Sequence, residues 1–131
     1  MSDSTRSGSC FCGVVRYRIA LPPRWVAHCH CSMCRRAQGT AFVTWVGADE
    51  SKFVLEAGAD AVTRFQSSPP AVRSFCSRCG TPLFFQSTRW PGEIHVTMAT
   101  LDSAEGLEPQ GHAYWDDHVP WVDLGDDLPR K

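Results

Sequence analysis

The sequence predicts an all-β sandwich or meander of short strands, and three observations carry that expectation. Between residues 14 and 100, β-branched and aromatic residues recur in short runs. Turn-forming residues interrupt these runs about every ten positions, the spacing of sandwich strands. Apolar periodicity of the helical kind is nearly absent.

Strands are expected at residues 14–19, 25–29, 41–46, 52–55, 62–66, 72–75, 83–86, 93–98 and 112–115. The breaks between them fall at Pro22-Pro23, Gly47, Gly58, residues 67–70, Gly80 and Pro91-Gly92. Residues 32–38 lack β-branched side chains and suit one helical turn; residues 102–105 suit another, started by an Asp cap. Neither is long enough to organise the fold.

The length of 131 residues fits a single domain. We expect a disordered lead over residues 1–8, the domain over 9–125 and an extended tail over 126–131 lying on the sheets. No apolar run approaches the ~20 residues needed to cross a bilayer. The first residues show no export or transit signal, so a cytoplasmic protein is expected. A net charge of -1 with scattered basic residues argues against nucleic acid as a partner.

The seven cysteines carry the chemistry. In a reducing compartment such clusters bind metal more often than they form disulfides, and an odd count leaves no complete disulfide framework. Cys10-Phe-Cys12 and Cys29-His-Cys31 each place two thiols on one side of an extended backbone, about 6 to 7 Å apart along it. Cys76-Ser-Arg-Cys79-Gly80 reads as a metal knuckle, its glycine free to take positive φ. Two divisions of the thiols compete. In the preferred one, Cys10, Cys12, Cys76 and Cys79 close a structural site while Cys29, Cys31 and Cys34 leave a coordination position open. In the other, the triplet forms the core of a structural site completed by one distant cysteine. Zinc is favoured over iron-sulfur because only one complete set of four cysteines is available beside the triplet.

His28 and His30 alternate with the triplet sulfurs and should face the opposite side as structural histidines. His95, His112 and His118 have no partner at ligand spacing. Arg35 and Arg36 follow the triplet directly and would present guanidinium groups to a carboxylate-bearing ligand; solvated surface charge is the bland reading. The tryptophans Trp25, Trp45, Trp90, Trp115 and Trp121 are expected in the core, with one or two left to line a pocket.

On Gly8-Ser-Cys-Phe-Cys-Gly-Val-Val-Arg-Tyr17, Cys29-His-Cys-Ser-Met-Cys-Arg-Arg36, Phe75-Cys-Ser-Arg-Cys-Gly80 and Pro120-Trp-Val-Asp-Leu124, the chain resembles the glutathione-dependent formaldehyde-activating family. The centromere protein V domain belongs to the same group. The resemblance implies a zinc-stapled β-tent (Mss-four-like) fold with two zinc ions per chain. One would sit on Cys10, Cys12, Cys76 and Cys79, the other on the triplet Cys29, Cys31 and Cys34, which would then be the catalytic site. It also implies a carbon-sulfur lyase that joins glutathione, or another small thiol, to formaldehyde as S-(hydroxymethyl)glutathione. Three thiolates leave a zinc(II) site with net charge of about -1, which favours thiol capture over carbonyl polarisation. The rival is a non-catalytic zinc-stapled scaffold for a protein partner or small thiol. A chromatin or microtubule role would need a basic extension.

Overall fold

The computed structural model describes residues 4–131. Residues 1–3 of the expected lead lie outside the described residues. Strands β1 (Thr5–Ser9), β2 (Arg16–Ala20) and β5 (Phe53–Ala57) form a three-stranded sheet in the order β1-β2-β5. The larger sheet has the order β10-β3-β4-β9-β8-β7-β6. Its members are β3 (Trp25–Cys29), β4 (Val43–Asp49), β6 (Val62–Ser68), β7 (Ala71–Cys76), β8 (Pro82–Ser87), β9 (Glu93–Thr97) and β10 (His112–Ala113). One α-helix, α1 (Ser32–Gln38), follows the strand that ends on Cys29. The expected all-β architecture is present.

Several boundaries differ for identifiable reasons. Residues 5–8 are not a lead: they belong to β1, which pairs antiparallel with β2 from Thr5↔Ala20 to Ser9↔Arg16. Thr-Arg-Ser-Gly-Ser holds no apolar residue, so its strand has no hydrophobic signature and depends on pairing alone. The strand expected from residue 14 begins only at Arg16, because Cys10 to Gly13 is a turn closed by Gly13 at φ 83. β10 stops at Ala113, where Tyr114 takes φ 56 and opens a 3₁₀ turn over Trp115–Asp117. Residues 102–105 form no helix. A turn closed by Leu107 N–H on Ala104 O stands there instead, with Gly106 at φ 81.

The sheets pack through Val15, Tyr17 and Ile19 on one side and Val46, Ala48, Leu83, Phe84, Ile94 and Val96 on the other. Tyr17 is the central piece. Its ring lies 5.1 Å from that of Phe84, edge-on, and its hydroxyl hydrogen-bonds Thr100 Oγ1 at 2.7 Å. Burial of this aromatic body with a satisfied polar tip joins the small sheet to the large one.

Strand alternation gives β4 two apolar faces: Val46 and Ala48 point to this core, while Trp45 belongs to a second cluster with Cys29, Cys34 and Val43. Gly47, on the same side as Trp45, pairs with Trp25 and leaves room for its indole. A Cβ at position 47 would run into that ring. Gly47→Ala should therefore lower unfolding stability by about 1–3 kcal/mol, read from urea denaturation, and shift tryptophan fluorescence in the native state.

Candidate metal centre and adjoining cavity

Two glycine-closed turns, one from each sheet, meet at the edge of the core. Gly13 N–H donates to Cys10 O at 3.1 Å, and Gly80 N–H to Cys76 O at 2.8 Å, with Gly80 at φ 81. Each turn folds two sulfurs inward. The Sγ atoms of Cys10, Cys12, Cys76 and Cys79 all lie within 4.8 Å of one another, with Cys10–Cys12 at 3.6 Å and Cys12–Cys76 at 3.9 Å. Sulfurs at ~2.3 Å from one tetrahedral ion stand about 3.8 Å apart, so the set fits a single metal ion. The 6 to 7 Å expected for an extended Cys10-Phe-Cys12 does not occur, because the backbone turns.

Hydrogen bonds bring the Cys10 and Cys79 thiols down, while burial and the neighbouring sulfurs push Cys12 up to about 11. Val15 N–H donates to Cys10 Sγ at 3.3 Å and Arg78 N–H to Cys76 Sγ at 3.4 Å. The Thr81 hydroxyl, 3.1 Å from Cys79, brings that thiol down to about 5. None of the seven cysteines is in a disulfide.

The triplet lies elsewhere, on the second face of the large sheet. Cys29 ends β3, Cys31 is the N-cap of α1, and Cys34 turns inward from the first helical turns. The Cys29 thiol donates to Cys34 Sγ at 3.6 Å, which raises Cys29 and, together with the neighbouring guanidinium of Arg73, lowers Cys34 to about 5. Arg73 Nη2 donates to Cys34 Sγ at 3.5 Å. Cys31 is half-buried and does not join the other two within 4.8 Å; the four-cysteine set is the one compact donor group among the described residues.

All three triplet cysteines open onto a cavity of about 430 Å³. Its aromatic wall is built around His95 on β9, whose ring lies 4.6 Å from Trp25, 5.5 Å from Phe85 and 5.7 Å from Trp90. Glu93 holds this wall in place: its Oε1 accepts from His95 Nε2 at 2.8 Å and from Trp25 Nε1 at 3.2 Å. Arg24 bridges Glu93 and Asp49 from the solvent side.

Behind the triplet stands a chain of histidines, of which His112 also lines the cavity. β10 pairs parallel with β3, setting His112 beside His28. His112 Nε2 lies 3.0 Å from Asp126 Oδ1, and His30 Nε2 lies 2.8 Å from His112 Nδ1. Asp126 accepts from His112 Nε2–H, and the next hydrogen bond of the chain joins His112 Nδ1 and His30 Nε2. His28 bonds Thr44 Oγ1 at 2.8 Å. Neither His28 nor His30 lines the cavity onto which the triplet sulfurs open.

The sequence profile of the glutathione-dependent formaldehyde-activating enzymes matches residues 5–117. The chain belongs to that family. A Halomonas elongata protein whose name carries the same description is 32% identical over 125 residues, covering 89% of this chain and 79% of that protein. A Schizosaccharomyces pombe protein named as an uncharacterised lyase is 30% identical over 117 residues, covering 89% of this chain and 83% of its own. A crystal structure of a Rhodobacter sphaeroides protein superposes with a TM-score of 0.66 at 28% identity, covering 95% of this chain and 99% of that one.

Within this formaldehyde-activating family member, the arginines that meet the triplet cavity are Arg73 and Arg89. Arg35 and Arg36 do not line it. Both sit in the last turn of α1, where a helical rotation of about 100° per residue carries them away from the direction of Cys34. Arg36 lines a neighbouring cavity of about 530 Å³, and Arg35 is half-buried with its Nε unpartnered. Arg73 could have been found by its place in a strand-like run, sharing a face with Ala71 two residues before it. His112 and Asp126 gave no such signal, since their partners come from a distant strand. Three of the five tryptophans, Trp25, Trp45 and Trp90, line the cavity; Trp115 stacks on His118 and Trp121 is exposed.

No helix among the described residues is long and apolar enough to cross a membrane.

Burial holds His95 below its ordinary value against the pull of Glu93. A depressed histidine stabilises the fold fully above about pH 6.5, and that contribution is lost as pH falls from there through the folded value. His95→Gln should flatten the loss of unfolding stability between about pH 7.5 and about pH 5.5, by no more than about 1.4 kcal/mol per pH unit, as read by urea titration at each pH.

Proposed function

We propose that this protein is a zinc enzyme of the carbon-sulfur lyase type that joins a small thiol, with glutathione the leading candidate, to an aldehyde. The observation that carries this reading is the opening of Cys29, Cys31 and Cys34 onto a walled cavity with Arg73 at their side. A purely structural site would be closed. The names of the family and of the two relatives support the same chemistry.

Zinc is the metal these residues suit, because thiolate-only donor sets with sulfurs 3.6 to 3.9 Å apart match its tetrahedral radius. Cys10, Cys12, Cys76 and Cys79 would hold one ion, and Cys29, Cys31 and Cys34 a second with one position open. Bound at the triplet, zinc would keep a substrate thiol deprotonated at neutral pH.

The chain's own residues supply the rest. Arg73 places a fixed positive charge against Cys34 and offsets the negative charge gathered by three thiolates. The indoles of Trp25 and Trp45, packed with Cys29 and Cys34, exclude water from the reacting end, which limits hydrolysis and strengthens every charge interaction there. The His30–His112–Asp126 chain fixes the backbone between Cys29 and Cys31 from behind. The reading places the protein in the cytoplasm, where seven unpaired thiols stay reduced.

Metal analysis should give two zinc ions per chain, and the zinc-loaded protein should form S-(hydroxymethyl)glutathione from glutathione and formaldehyde well above the spontaneous rate. Cys31→Ser should cut that rate by more than roughly a hundredfold while far-UV circular dichroism stays unchanged. Cys76→Ser should instead lower stability, because a structural metal contributes directly to folding. Equal rates with and without protein would replace the enzyme by the scaffold reading.

A further inference from the structure

The cavity beside the triplet is larger and chemically more selective than formaldehyde requires. Formaldehyde has two heavy atoms and no apolar body. The cavity measures about 430 Å³, inside the range of roughly 300–1,000 Å³ typical of sites for much bigger ligands. Its walls are Trp25, Trp45, Phe85 and Trp90 around His95, surfaces suited to a flat apolar ring.

The charges at its edge have one sign. Arg73, Arg89 and Lys131 line the cavity, and no Asp or Glu side chain does. Among the described residues, neither arginine has a carboxylate within 4.0 Å. Both guanidinium groups are instead spread on the aromatic wall, Arg73 at 4.9 Å from the Phe85 ring centre and Arg89 at 5.1 Å from that of Trp90. Stacking holds the plane of an arginine while leaving its N–H edge free for an anion. Arg73 already donates to Cys34 and so marks the reacting end. Arg89, exposed and two residues beyond the end of β8, marks the far end.

We propose that this cavity takes an aromatic aldehyde bearing a carboxylate, its ring between the indoles, its carbonyl at the triplet and its carboxylate on Arg89. The proposal rests on the thiol-plus-aldehyde reading for which reactant fills the space. The thiol partner is the poorer occupant: glutathione carries an ammonium, two amides and two carboxylates, and the lining offers that ammonium no carboxylate. In the step itself the thiol gives up its proton and its sulfur forms the new bond to the carbonyl carbon. The carbonyl π pair moves to oxygen, which takes up that proton. The product is a hemithioacetal and nothing is oxidised or reduced.

Binding is measured first, on the zinc-loaded protein, by tryptophan fluorescence with three unreactive probes of one shape: 4-methylbenzoate, 4-methylbenzamide and 4-methylbenzylammonium. The benzoate should bind at least about tenfold more tightly than the other two, and Arg89→Gln should erase that preference while leaving the amide's affinity unchanged. Equal affinities for the three probes overturn the proposal. Rates with glutathione are then compared for 4-carboxybenzaldehyde and formaldehyde, each against its spontaneous reaction, and the larger acceleration is expected for the aromatic aldehyde. A benzoate preference without acceleration of any aldehyde keeps the ligand class and removes the thiol–aldehyde reading. Acceleration of formaldehyde without a benzoate preference keeps that reading and removes this proposal.

Discussion

Four sulfurs from two sheets converge within 4.8 Å, and the rest of the molecule is arranged around that junction. Cys10 and Cys12 come from the turn between β1 and β2, Cys76 and Cys79 from the turn between β7 and β8. Four thiol groups this close, none in a disulfide, repel one another once ionised unless a cation lies among them. The junction is a donor set that could hold one metal ion, and it ties a turn of the small sheet to a turn of the large one.

Once the sheets are fixed, the large sheet has one face covered and one free. Alternation along β4 and β9 sends Val46, Ala48, Ile94 and Val96 to the covered face. Trp45 and His95 go to the other, where no second sheet arrives. That face would be an exposed apolar patch, were it not partly roofed by α1, residues 110–114 and the last residues of the chain. The cavity is the space left between that roof and the sheet. The triplet reaches it because β3 ends, and α1 begins, at its rim.

The far side of the triplet is held as firmly as the near side. His30 and His112 are almost wholly buried, and their hydrogen bonds run to Asp126 in the C-terminal segment. Residues 126–131 are anchored as well, by the bridge between His112 and Arg130 and by Arg130 stacked on Trp115. The segment that the sequence describes as a tail is thus a structural part of the site. It carries the carboxylate at the end of the histidine chain and lines the cavity through Pro129 and Lys131.

What the sequence determined by itself is whatever depends on a few consecutive residues. The short strands, α1 at Ser32–Gln38 and the Cys76–Gly80 knuckle are all local consequences of periodicity or turn chemistry. β1 contains no apolar residue to mark it, and Cys10–Cys12 is shorter than an extended strand gives because Gly13 closes a turn there. The tertiary structure alone decided which local pieces meet. Arg73, and neither Arg35 nor Arg36, reaches Cys34 across 39 residues of chain, and His112 reaches His30 across 82. Such meetings depend on strand order and register, which are set by the burial of whole sheet faces and leave no mark in the spacing of any one segment.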